Sequence, residues 1–214
     1  MFGTTYTIFT LLILFVKWFH MGEHNAGKGP AYILEAALKV FARHGFKKTS
    51  IEDLAKGAGV SRQTIYSHFK SKEEVFKASL RKSLEDGLFV ASKALDNADR
   101  SLEEKLLDAL DAWFGRHVGL FHIEASDIRQ QSQLLLGDVL GEYRAPLQKK
   151  MVKIIALASA RKSKVAQLKL ATDIAQTLFA CGFAWKHDLA SREEFQEKME
   201  TAIRLCCRSL YLDQ

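Results

Sequence analysis

Apolar residues along this chain return every three or four positions, the period of a helix, and nowhere alternate as a half-buried strand would. Ile33, Ala36, Ala37, Val40 and Phe41 form a first stripe, behind Pro30, which suits a helix's first turn, and ahead of Gly45, which ends it. Ser71-x-x-Glu74 is a capping box and predicts a helix through Val75, Phe76, Leu80 and Leu84 to about Leu95. Ser101-x-x-Glu104 is another, and the residues behind it read as one helix: Leu106, Leu107, Leu110, Trp113, Phe114, His117 and Phe121. A shorter amphipathic piece starts at Ser126 or Asp127 and closes at Gly137. The pattern resumes at Asp138 and runs to about Ala160, with Pro146 either kinking the helix or marking its true start. Leu168, Ala171, Ile174, Ala175, Leu178, Phe179, Gly182 and Trp185 mark a strongly apolar helix from Val165 to about Asp188. Ser191-x-x-Glu194 opens the last, with Phe195, Met199, Ala202, Ile203, Cys206 and Leu210 on one stripe. The expectation is an all-α chain of about nine helices.

The stretch Ser50 to Lys72 departs from this long-helix pattern. Ser50 and Asp53 are spaced to cap a helix whose apolar face is only Ile51, Leu54 and Ala55. Gly57 and Gly59 then force a turn, and Ser61 caps a second short helix with Ile65 and Phe69 facing inward. Its other residues, Arg62, Gln63, Thr64, Tyr66, Ser67 and His68, are hydrogen-bonding side chains on a helix too short to exist for packing alone. Two short helices about a glycine turn make a helix-turn-helix, whose second helix enters the DNA major groove by its N-terminal residues. Arg62 and Gln63 hold that leading turn; arginine pairs bidentately with guanine and glutamine with adenine, while Thr64 suits a thymine methyl or a phosphate.

The run Gly45…Thr49-Ser50-Ile51…Leu54-Ala55…Ala58-Gly59-Val60-Ser61…Thr64-Ile65-Tyr66…His68-Phe69…Ser71-Lys72-Glu73-Glu74 resembles the N-terminal domain of TetR-family transcriptional regulators, over about Ala31 to Leu80. The resemblance implies a three-helix helix-turn-helix DNA-binding domain at residues 28–75 and an effector-binding and dimerisation domain at 76–214. It further implies that Tyr66 and His68 approach the DNA backbone or bases, and that Thr49, Ser50 and Lys72 bind phosphates. The protein is then expected to be a cytoplasmic homodimer, a repressor released from a palindromic operator by a small molecule.

Charge agrees with the motif. Residues 28–82 carry 12 Lys and Arg against 5 Asp and Glu, while residues 83–214 carry 18 against 19. The net +6 therefore sits on the segment with the helix-turn-helix, where it attracts phosphates in a salt-sensitive way. The 3 cysteines, Cys181, Cys206 and Cys207, have no metal or CxxC spacing and suit a reducing compartment.

Met1 to Val16 is uncharged and largely apolar. It lacks the basic start and cleavage site of a secretory signal and is short for a spanning helix. A hydrophobic arm is a further reading, but a start assigned too far upstream fits best, because Met21 begins the polar lead-in MGEHNAGKGP. The rival is a membrane anchor over residues 1–21, which would make the chain a tethered or architectural DNA-binding factor without an effector.

The effector pocket implied by the resemblance has as candidates Trp113, Phe114, His117 and Phe121, then Gln130 and Gln133, then Phe179 and Phe183. Aromatic stripes at this spacing are more often plain core. His117 and His122 are five apart and make a poor metal pair. Beside the main stripes, Leu170, Cys181, Phe183, Leu205 and Cys207 give the last two helices extra apolar surface, which suggests a four-helix dimer interface. No paired carboxylates, nucleophile elbow, phosphate loop or metal spacing is present, so neither enzymatic chemistry nor a cofactor is expected.

Overall fold

A computed structural model describes residues 29–120, 126–159 and 163–211. The apolar start at Met1 to Val16, Phe121 and His122 lie outside the described residues. The described residues form helices and no strands: α1 (Pro30–His44), α2 (Ile51–Ala58), α3 (Arg62–His68), α4 (Lys72–Asp96), α5 (Leu102–Trp113), α6 (Ser126–Leu136), α7 (Val139–Ala158), α8 (Lys164–Asp188) and α9 (Arg192–Arg208). The all-α reading holds.

Serine caps start most of them as the spacing predicts. The Ser50–Asp53 and Ser101–Glu104 pairs close in both directions, and the hydroxyls of Ser61, Ser71 and Ser191 each accept from the backbone N–H three residues on. Gly59 ends α2 in the left-handed region, at φ 59°, so the chain can turn into α3 without a Cβ clash.

One core joins all these helices. In its N-terminal part Ile33, Ala37 and Phe41 of α1 meet Leu54 and Ala58 of α2, Ile65 of α3 and Val75 and Phe76 of α4, all fully buried. The rings of Phe41, Phe46 and Phe76 form a trio with centroids 5.0 to 5.8 Å apart. α4 packs on α1 at its start and on α5 and α7 further along, so it links the small helical head to the rest. Tyr143 of α7 donates to Glu85 of α4 at 2.9 Å, and Lys150 donates to the Ser92 carbonyl at 3.0 Å, fixing α7 along it.

Three expectations need correction. α5 stops at Trp113 instead of continuing to Phe121; a 3-10 turn follows at Gly115–His117, and Gly119 is left-handed at φ 72°. The tightening has a packing cause. The α5 residue Asp111 is turned to receive Arg192 of α9 in a two-pronged ion pair (Nε to Oδ1 2.9 Å), and only a residue without a Cβ fits against it at Gly115. Second, Pro146 lies inside α7 on its exposed side, so it does not mark the helix's true start. Third, Cys207 is the fully buried continuation of the stripe of Phe195, Met199 and Ile203, while Cys206 is half-buried and packs against the edge of the core. Burial pushes the Cys207 thiol up to about 12, so it stays protonated as a small core residue.

Candidate nucleic-acid interface

α3 has one buried side chain within its span, Ile65, and Phe69 buried directly after it. These two seat the helix on its neighbours and leave Arg62, Gln63, Tyr66 and His68 exposed along the outside. Thr64 is half-buried, its hydroxyl 2.8 Å from that of Ser61 at the helix start. Arg62 extends toward Glu52 of α2, with Nη1 3.4 Å from the carboxylate and both side chains mostly exposed. Such an exposed pair is worth little and leaves the guanidinium available to a stronger acceptor.

The residues before and after α3 have more structural work than the sequence suggests. The Thr49 hydroxyl points inward, 2 % exposed, and donates to the Gly45 carbonyl at 2.6 Å. The Lys72 ammonium donates to the carbonyls of Phe46 and Thr49 at 3.0 and 2.9 Å and lies 4.4 Å from the centre of the Phe46 ring. A lysine at the start of α4 thus ties down the loop between α1 and α2, each charge-assisted bond contributing about 1.5–3 kcal/mol. Ser50 is exposed at the start of α2, but its hydroxyl and N–H both donate to Asp53, at 2.6 and 2.9 Å. Those bonds hold the Asp53 carboxyl below its ordinary value. Thr49 therefore lies beneath the candidate face, Lys72 at its edge with two donors already engaged, and Ser50 on it beside a carboxylate.

The described effector candidates differ in burial. Trp113, Phe114 and Phe179 are core, with the Phe114 and Phe179 rings edge to face at 5.3 Å. Gln130, Gln133 and Phe183 are exposed on the surface. His117 lines a sizeable cleft between α1, α4 and the 115–120 turn. No group of three or more His, Cys, Asp or Glu placed to hold a metal occurs among the described residues. None of the described helices is long and apolar enough to cross a membrane.

Burial, reinforced by the Arg116 and Lys186 cations, pushes the His117 imidazole down to about 3. Its Nε2 accepts from Arg116 Nε at 3.1 Å. The unfolded chain takes up this proton near 6.5 and the folded chain only near 3, so acid favours unfolding. The contribution is complete above pH 6.5 and is lost as pH falls, by at most ~1.4 kcal/mol per pH unit. Denaturant melts at about pH 7.5 and about pH 5.5 should show this loss, and His117→Gln should shrink the difference between them.

A short polar helix displayed outward beside a turn, on a basic segment, defines a helix-turn-helix protein of the DNA-binding kind. Residues 33–79 match the family described as "Bacterial regulatory proteins, tetR family". A Bacillus subtilis protein, the uncharacterized HTH-type transcriptional regulator YfiR, is 39% identical over 75 residues, 35% of this chain and 36% of that one. The HTH-type transcriptional repressor KstR2 of Mycobacterium tuberculosis is 35% identical over 85 residues, 40% of this chain and 41% of that one. The chain thus matches less than half the length of these two relatives. The structure of the TetR-family regulator CifR, a cysteine mutant complexed with 26-base-pair operator DNA, aligns with a TM-score of 0.56 at 23% identity, over 80% of this chain and 93% of that one. Residues 33–79 therefore resemble the DNA-binding segment of the TetR family, and the relatives matched over this part of the chain are transcriptional regulators.

Proposed function

We propose that the protein is a homodimeric transcriptional repressor that binds a palindromic operator with paired α3 helices and releases it when a small molecule binds. The observation that carries the reading is the outward row Arg62, Gln63, Tyr66 and His68 on a helix seated by Ile65 and Phe69. Arg62 and Gln63, in the first turn, read base edges; Tyr66 and His68 lie along the backbone. Ser50 and the third donor of Lys72 meet phosphates at the rim, while Thr49 acts by holding the loop in place. The place of action is the cytoplasm, where operator DNA is found.

Dimerisation is assigned to α8 and α9. Leu168, Phe183 and Leu205 are 44 to 65 % exposed there. A shallow groove between the two helices, lined by Cys181, Trp185, Ala202 and Cys206 among others, suits a facing helix. Pairing these faces sets the separation of two α3 helices, and release is a population shift toward a dimer in which that separation no longer fits successive major grooves.

Selection of bound duplexes from random DNA tests this directly. The expected product is a palindrome with half-sites one helical turn apart. Arg62→Ala should relax preference at a single position in each half-site, a loss of about 1–3 kcal/mol of discrimination there. Equal, sequence-blind losses would remove Arg62 from base reading.

A further inference from the structure

The cleft between α1, α4 and the 115–120 turn has a volume of about 550 Å³. That is within the ordinary range for a small-molecule site. Its walls come from both parts of the chain: Leu38 and Ala42 from α1, Ser83 and Asp86 from α4, Arg116 and Leu120 from the turn. It is separate from the aromatic core of Trp113, Phe114 and Phe179.

Charge inside it is unbalanced in one direction. Glu35 and Lys39 pair within α1 at 2.9 Å, and Lys82 and Asp86 pair within α4. Arg116 has no ion-pair partner among the described residues. Its guanidinium is half-buried against neutral acceptors: the Ser83 carbonyl, the Ser83 hydroxyl at 2.9 Å and His117 Nε2 at 3.1 Å. Gly87 lets it lie close to α4, since a Cβ there would sit 3.2 Å from Nη2 and 3.3 Å from Trp113. Among the described residues Asp86 is the carboxylate that acts on it electrostatically, and Lys82 already holds that group. A half-buried, positioned guanidinium without a carboxylate is an anion receptor in waiting, because a bidentate carboxylate supplies the missing counter-charge. Ala31, Leu38, Ala42 and Leu120 supply apolar surface to the wall.

We propose that this cleft binds a small organic monocarboxylate with an apolar body, its carboxylate on Arg116 and its body against Leu38, Ala42 and Leu120. The site rests on the regulator reading only for its consequence. A ligand wedged between α1 and the 115–120 turn touches the DNA-binding head and the C-terminal helices together. It thereby favours arrangements in which α1 and the turn stand further apart, and shifts the head away from its DNA-bound setting.

The test is calorimetric titration of the full chain with octanoate, decanoate and phenylacetate, with 1-octanol as the uncharged counterpart of octanoate. At least one carboxylate should bind, octanoate or decanoate about tenfold or more tighter than 1-octanol, and Arg116→Gln should remove that preference. Ala31→Trp, at an exposed wall position, should block all of them without touching the core, which covers the case in which Arg116→Gln disturbs folding. Saturating carboxylate should weaken binding to the selected duplex by about tenfold in the parent chain and not in Ala31→Trp. No binding by any of the three carboxylates, or binding indifferent to both substitutions, overturns the site while leaving DNA binding intact. Carboxylate binding blocked by Ala31→Trp in a chain that ignores duplex DNA would keep the site and remove the regulator.

Discussion

Phe76→Ala is expected to abolish duplex binding although Phe76 faces no DNA. Its ring is fully buried at the start of α4, 5.1 Å from Phe41 and 5.0 Å from Phe46, and edge-on to both. Truncating a buried phenylalanine costs about 3–5 kcal/mol, part lost transfer energy and part cavity. The head has few other large buried groups, chiefly Ile33, Phe41, Leu54 and Ile65, so this loss is comparable to what holds the head together. Lys72 and Thr49 fasten the adjoining loop through Phe46 and Gly45, and that loop loses its support with the ring. The helices α5 to α9 have their own buried side chains and should keep most of their helical signal. Circular dichroism and duplex titration on one preparation check this. Duplex affinity within a few-fold of the parent would mean that the aromatic trio is dispensable to the head.

Gly182→Leu should destabilise the C-terminal helices by about 3 kcal/mol. Gly182 lies on α8 where the Phe114 ring enters, and a β-carbon there would overlap that ring, within 2.8 Å of Cε2. Phe114 is 4 % exposed and also packed on Phe179, so it has little room to retreat. A glycine inside a helix ordinarily costs about 1 kcal/mol against alanine, and replacing it ordinarily helps. Here the steric term is the larger, and it decides the sign. Urea melts should place Gly182→Leu well below the parent, with Gly182→Ala between them. A stabilised Gly182→Ala would show that the Phe114 ring moves more freely than its burial implies.

The helical architecture was legible because its signals are local. Serine-to-acid spacings cap helices through bonds between neighbours, and Ser50, Ser71, Ser101 and Ser191 all do so. What escaped depends on distant partners. The early stop of α5 follows from Asp111 meeting Arg192, far along the chain, with Gly115 as the one local hint. Cys206 and Cys207 are both compatible with a helical period after Ile203, and only packing assigned Cys207 to the core. The outward row of α3 could be read from residue type alone. The inward hydroxyl of Thr49 and the carbonyl partners of Lys72 could not, since a polar side chain fits a phosphate or a buried carbonyl equally well. The cleft at Arg116 is not visible in the sequence for the same reason: three separated segments build it, and of its lining only His117 belongs to an apolar stripe.

The central claim is that α3 reads duplex DNA from the major groove. The measurement that meets it most directly is the affinity of the full chain for its selected duplex across a salt series, parent beside Arg62→Ala. The account predicts that log affinity falls linearly with log salt in both, and that Arg62→Ala loses preference at one base position per half-site while keeping most of the salt slope. An affinity that ignores salt, or no affinity for any duplex, would contradict it.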